Sequence, residues 1–135
     1  MSLDYYRELF HMAVCDMAIS SDKFSEKLRA TWINYLYKVD WKELESLLME
    51  EDLPLLQEVR RRLHDDLHKD IDKKLAEVLA ATASAPRPLS AEQASKYANA
   101  DTVLRSMNGV RASNCVKVIV KLYCAIDQTM EWRRV

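Results

Sequence analysis

Apolar residues keep a helical rhythm along nearly the whole chain. Leu3, Tyr6, Phe10, Ala13, Val14 and Met17 recur at spacings of three and four, which predicts a helix over residues 3–20. Residues 12–19 are apolar almost all round, broken by Asp16, so this helix is expected at the centre of the fold. Phe24, Leu28, Trp32, Leu36 and Val39 mark a second helix, with Ser21 or Asp22 placed to cap it. Asp40-x-x-Glu43 has capping-box spacing and opens a short third helix carrying Trp41, Leu44, Leu47 and Leu48.

The longest uninterrupted pattern covers residues 53–82, with Asp52 as a cap and Pro54 in the first turn, where a missing N–H costs nothing. Its apolar positions are Leu56, Val59, Leu63, Leu67, Ile71, Leu75, Val78 and Leu79. From Val59 to Leu75 they repeat every four residues, so on a 3.6-residue turn the stripe drifts by about 40° per step and roughly 160° in all. The two halves should therefore meet different neighbours, or the helix should bend. Leu67, Ile71, Leu75 and Val78 are the expected interface with a second subunit. On the other face Glu58/Arg62, Asp65/Lys69 and Asp70/Lys74 stand four apart with the acid first, the order the helix dipole favours.

Ala83-Ser84-Ala85-Pro86-Arg87-Pro88 reads as a linker. It divides residues 1–82, an N-terminal helical unit, from residues 90–135, a C-terminal one, with 83–89 between them. Ser90-x-x-Gln93 caps a short helix at 91–98; a turn at 99–101 follows, then a second helix at 102–108 capped by Asp101 and stopped by Gly109. Residues 116–122 alternate like a strand, but Lys117, Lys121, Gln128 and Glu131 share one narrow helical stripe that also holds Cys124. That pattern predicts a largely buried helix over 115–132, with Val116, Ile119, Val120, Tyr123, Ile126 and Met130 available to the core.

Composition agrees with the pattern. A single Gly is far below the usual ~7%, and all-β folds need turn glycines. The expectation is an all-α, single-domain bundle of six or seven helices organised on the helix at 53–82. The formal charge is −1, yet 1–88 hold 13 basic and 17 acidic residues, while 89–135 hold 7 and 4. Three cysteines, Cys15, Cys115 and Cys124, with no CxxC spacing, form neither a disulfide framework nor a zinc knuckle. A reducing, cytoplasmic setting fits them. No run is long and apolar enough to span a membrane, and no signal-peptide core opens the chain.

Little of this carries chemistry. His64 and His68 stand four apart on one helix face, the spacing of a zinc pair, with Asp65 where a general-base Glu would sit. Such a pair needs a third ligand, and a metal-dependent hydrolase is the function it would imply. His11, His64-Asp65 and Asp127 follow the order His…His-Asp…Asp, in which the chain resembles HD-type phosphohydrolases, also all-α. The resemblance implies a metal site on those four residues.

Residues 89–111, LSAEQASKYANADTVLRSMNGVR, are similar to the helix-turn-helix of Cro-like repressors, although the turn lacks a Gly. The resemblance implies a recognition helix at 102–108. Thr102, Arg105, Ser106 and Asn108 would reach base edges, and Lys96 and Arg111 would sit on phosphates. No nucleophile motif and no cofactor-binding motif is present. The expected function is a non-catalytic interaction or assembly protein whose partner is another protein or a second copy. A DNA-binding regulator is the alternative, and a membrane is not an expected partner.

Overall fold

The computed structural model describes residues 2–134. Among these residues it is an all-α bundle of seven helices without strands. The helices are α1 (Leu3–Ile19), α2 (Phe24–Asn34), α3 (Trp41–Leu47), α4 (residues 53–82), α5 (Ala91–Ala94), α6 (Ala100–Arg105) and α7 (Gly109–Arg134). Met1 and Val135, the ends of the two expected units, lie outside the described residues.

α7 begins six residues before its expected start. The Asn108 side chain accepts the backbone N–H of Val110 at 2.8 Å and of Arg111 at 3.4 Å, so the helix is capped there. Gly109, expected to stop the preceding helix, is instead the first residue of α7, and its φ is not positive. α1, α2 and α4 all pack on α7. Cys115, Ile119, Leu122 and Ile126 are its fully buried side, against Phe10, Leu28, Val59 and Leu63. The stripe of Lys117, Lys121, Cys124, Gln128 and Glu131 is exposed, as its spacing predicts; Val120, expected in the core, is 37% exposed at the stripe's edge.

α1 lies at the rim rather than the centre. Leu3, Tyr6, Phe10, Ala13 and Met17 are buried, but Met12 and Ile19 face outward, because α7 fills the central place. Asp16 sits on the rim and accepts the Tyr35 hydroxyl, tying α1 to the end of α2. The cap expected at Ser21 or Asp22 is not made: α2 opens after Lys23 without a side-chain cap, and Ser20 bonds Asp22 instead. α2 also ends earlier, at Asn34, with Leu36 buried in a separate turn, Leu36–Lys38. Asp40 does cap α3, accepting the Glu43 N–H at 3.2 Å.

α4 runs the full expected length, but Asp52 makes no side-chain cap. Within it Arg61–Asp65 forms a π turn between the α-helical stretches Leu53–Arg60 and Asp66–Thr82. A π turn winds less per residue than an α turn, so it takes up part of the drift that a four-residue repeat accumulates. Leu56, Val59, Leu63 and Leu67 consequently stay on one buried face. The first half of α4 packs on α3 and α7 and the second on α5 and α6. The two halves thus have different neighbours, supplied by this chain itself.

The segment before α7 has shorter helices than expected. α5 stops at Ala94, with the Ser90/Gln93 capping box formed in both directions. α6 starts at Ala100, not 102, because Asn99 rather than Asp101 is the cap: its side chain accepts the Thr102 N–H at 3.0 Å and Thr102 reciprocates. Leu104 is fully buried and seats α6 between α2 and α4.

Candidate functional site

Large apolar side chains are left exposed on α1, on both ends of α2, on α7, and at Tyr37 and Tyr97 in turns. Ile19, Trp132 and Val110 are the most exposed, at 84%, 74% and 72%. Met12, Phe24 and Val120 are also open; among the described residues none of the exposed large apolar side chains lies on α4. Five of them, Met12, Ile19, Phe24, Val110 and Val120, belong to α1, to α7 and to the start of α2.

The fold brings two of these, Phe24 and Val110, together. Arg7 Nε meets Asp127 Oδ1 at 2.8 Å and His11 Nδ1 meets the Tyr123 hydroxyl at 2.9 Å, which sets α1 antiparallel to α7. Continuing that register, the end of α1 lies level with residues 115–116 of α7, and α2 restarts beside the first turns of α7. There Phe24, Gly109, Val110, Ser113, Asn114 and Lys117 line an open cleft of about 520 Å³. Spacings of three and four put Val110, Lys117, Val120, Lys121 and Cys124 on one exposed stripe of α7. The Lys27 ammonium lies 5.5 Å from the Phe24 ring centre, a cation–π contact. Phe24 and Val110 thus form the apolar part of the cleft, and Lys117, with Lys27 over the Phe24 ring, its basic part.

The α1–α7 seam also holds a group of reactive side chains. His11 bridges the Tyr123 hydroxyl and, at 3.6 Å from Nε2, the Cys15 sulfur. Burial, and the nearby Asp127 carboxylate, push the Tyr123 hydroxyl above its ordinary range. Sequence reasoning missed the Cys15–His11 pair, although its spacing of four was visible. Cys115, by contrast, is buried and its thiol is pushed up by desolvation, a shift that Arg62 and Arg111 partly oppose.

The metal-site residues do not converge. The His64 and His68 rings meet edge to face, 4.6 Å between centres, and His64 Nδ1 lies 2.9 Å from Asp65 Oδ1. That hydrogen bond lowers the Asp65 carboxyl. Among the described residues no three His, Cys, Asp or Glu side chains could together hold a metal ion. Of the set implied by the phosphohydrolase resemblance, His11 and Asp127 lie on the α1–α7 seam. His64 and Asp65 belong to the π turn, whose Arg62 bonds Cys115, about 18 Å up the α7 axis from Asp127.

The residues of the helix-turn-helix resemblance are placed as follows. Thr102 is occupied in the Asn99 capping box, and Ser106 Oγ donates back to the carbonyls of Thr102 and Val103. Asn108 caps α7. Arg105 pairs with Asp101 at 3.3 Å, and Asp101 also binds Arg29 of α2. Arg111 pairs with Asp70 at 2.6 Å, while Lys96 is exposed. The helix that carries them, α6, lies between α2 and α4.

The residues expected at a subunit interface divide. Leu67 is 1% exposed in this chain's own core and cannot be offered to a partner, a correction that follows from the π turn. Ile71, Leu75 and Val78 are half-buried under α5 and α6.

Fold and surface together define an all-α helical bundle with a basic, apolar cleft at the start of its last helix. No protein-family model, curated protein or solved structure matches this chain.

Proposed function

We propose that this chain is a non-catalytic interaction or assembly protein that docks through the end of the bundle formed by α1, α7 and the start of α2. The observation that carries this reading is the exposure of Phe24 and Val110 around one cleft, while α4 leaves no large apolar side chain open. Apolar side chains grouped on a surface and rimmed by lysines mark interaction sites rather than ordinary solvated faces. The occupant is another protein or a second copy of this chain. No helix among the described residues is long and apolar enough to cross a membrane. Three free cysteines fit a reducing, cytoplasmic setting.

Photo-crosslinking from single positions tests the placement. A photoreactive residue at Val110 should give a discrete protein adduct in native cell extract, and one at Ala76, on the outer face of α4, should give none. Crosslinking at Ala76 and not at Val110 would contradict the reading.

A further inference from the structure

The start of α7 and the turn between α3 and α4, which lies by the other end of α7, present opposite charge around open apolar groups. At its start, Lys117 borders the cleft that holds Phe24 and Val110, and Lys121 stands one turn further on. Lys27 reaches the same cleft from α2, its ammonium lying over the Phe24 ring. Among the described residues neither Lys117 nor Lys121 has an ion-pair partner. At the other end, the guanidinium of Arg133 donates to the Leu47 carbonyl at 2.5 Å and holds the last turn of α7 against the end of α3. Next to that contact, Met49, Glu50 and Glu51 line an open cavity of about 430 Å³, with Glu45 exposed on α3 and Trp132 projecting from α7. Glu50 and Glu51 are likewise without ion-pair partners among the described residues.

We propose that copies of this chain assemble head to tail, the basic cleft at the start of α7 in one protomer receiving the acidic turn between α3 and α4 of the next. This rests on the interaction reading above and names its occupant. A partner for the cleft must be apolar at its centre and acidic at its rim, and the chain itself carries such a surface, about 36 Å away along α7. Both surfaces belong to every molecule, at equal concentration. Apolar contact between Phe24, Val110, Met49 and Trp132 supplies the affinity, and the lysine–glutamate pairs supply orientation and select the correct end. Because the two surfaces differ, the contact is heterologous. A dimer still has one free surface of each kind, so growth continues unless the rotation closes a ring.

The test is light-scattering mass measured over a range of protein concentrations. The wild-type mass should rise above the 15.7 kDa of one chain as concentration increases, and it should fall back as salt screens the rim charges. Lys117→Glu with Lys121→Glu makes both ends acidic; Glu50→Lys with Glu51→Lys makes both ends basic. Each variant alone should associate at least tenfold more weakly than the wild type. Mixing the two should restore association, since every contact then again joins opposite charges. All four substitutions are at exposed positions, and a misfolded variant could not be rescued by mixing. A single-chain mass at every concentration, or a mixture no larger than its components, would overturn the proposal. A closed dimer insensitive to these changes would overturn it too. If the Val110 crosslink still captured a different protein, the interaction reading would stand without self-assembly.

Discussion

Asn99 shows how much one side chain can fix. It accepts the Thr102 N–H, donates to the carbonyls of Ser95 and Lys96, and so both ends the α5 turn and starts α6. Asn99→Ala should cost about 0.5–2 kcal/mol, read from urea denaturation. Sequence reasoning chose Asp101 because both residues are good caps; Asp101 is instead drawn to Arg29, a contact across 72 positions that no local rule reveals. Cys115 gives a prediction with a definite sign. Its thiol is neutral in both states well below the ordinary value of 9.0, and burial raises it only in the folded chain. Above that value the unfolded chain loses its proton first, so stability falls as pH rises. Tyr6, raised by burial and by Glu43 and Asp40, adds a similar loss from its ordinary 10.0 upward. The urea midpoint should therefore drop between about pH 8 and about pH 10, and by less in Cys115→Ala. An unchanged slope in that variant would assign the loss to other groups.

Among the elements, α4 separates what the pattern tells from what it leaves open. The four-residue repeat announced both the length of the helix and the change of neighbours between its halves. It did not announce the π turn, because a drifting stripe is equally consistent with a rotating face or a bend. The turn implies that one residue is surplus to the helical register. Deleting the exposed Arg61 should close it into regular helix while keeping Leu63 and Leu67 on the core side. Deleting Ala76 from the regular stretch would rotate the last turns by about 100° relative to the rest. The first deletion should be the milder in a thermal melt monitored by circular dichroism. α6 is short and held by one buried residue, so Leu104→Ala should cost about 2–5 kcal/mol by denaturant titration. α7 was recognised as a helix from its polar stripe, but its true start depended on reading Asn108 as a cap and Gly109 as helix, against the usual preference of glycine for helix ends.

Over the whole molecule, the all-α class and the number of helices were legible because periodicity and scarcity of glycine agreed. The arrangement was less so. Residues 12–19 and the central part of α7 are similarly apolar, and which of them occupies the centre depends on packing with α2 and α4. The apolar cleft was hidden for the same reason: Val110 and Phe24 are distant in sequence and meet only when α2 packs against the first turns of α7. Affinity capture of the tagged protein from its native extract, after nuclease, with wild type and Val110→Asp in parallel, tests the central claim most directly. The account predicts a protein, this chain or another, recovered in stoichiometric amount by the wild type and lost with Val110→Asp. Recovery that depends on nucleic acid, or that Val110→Asp leaves unchanged, would contradict it.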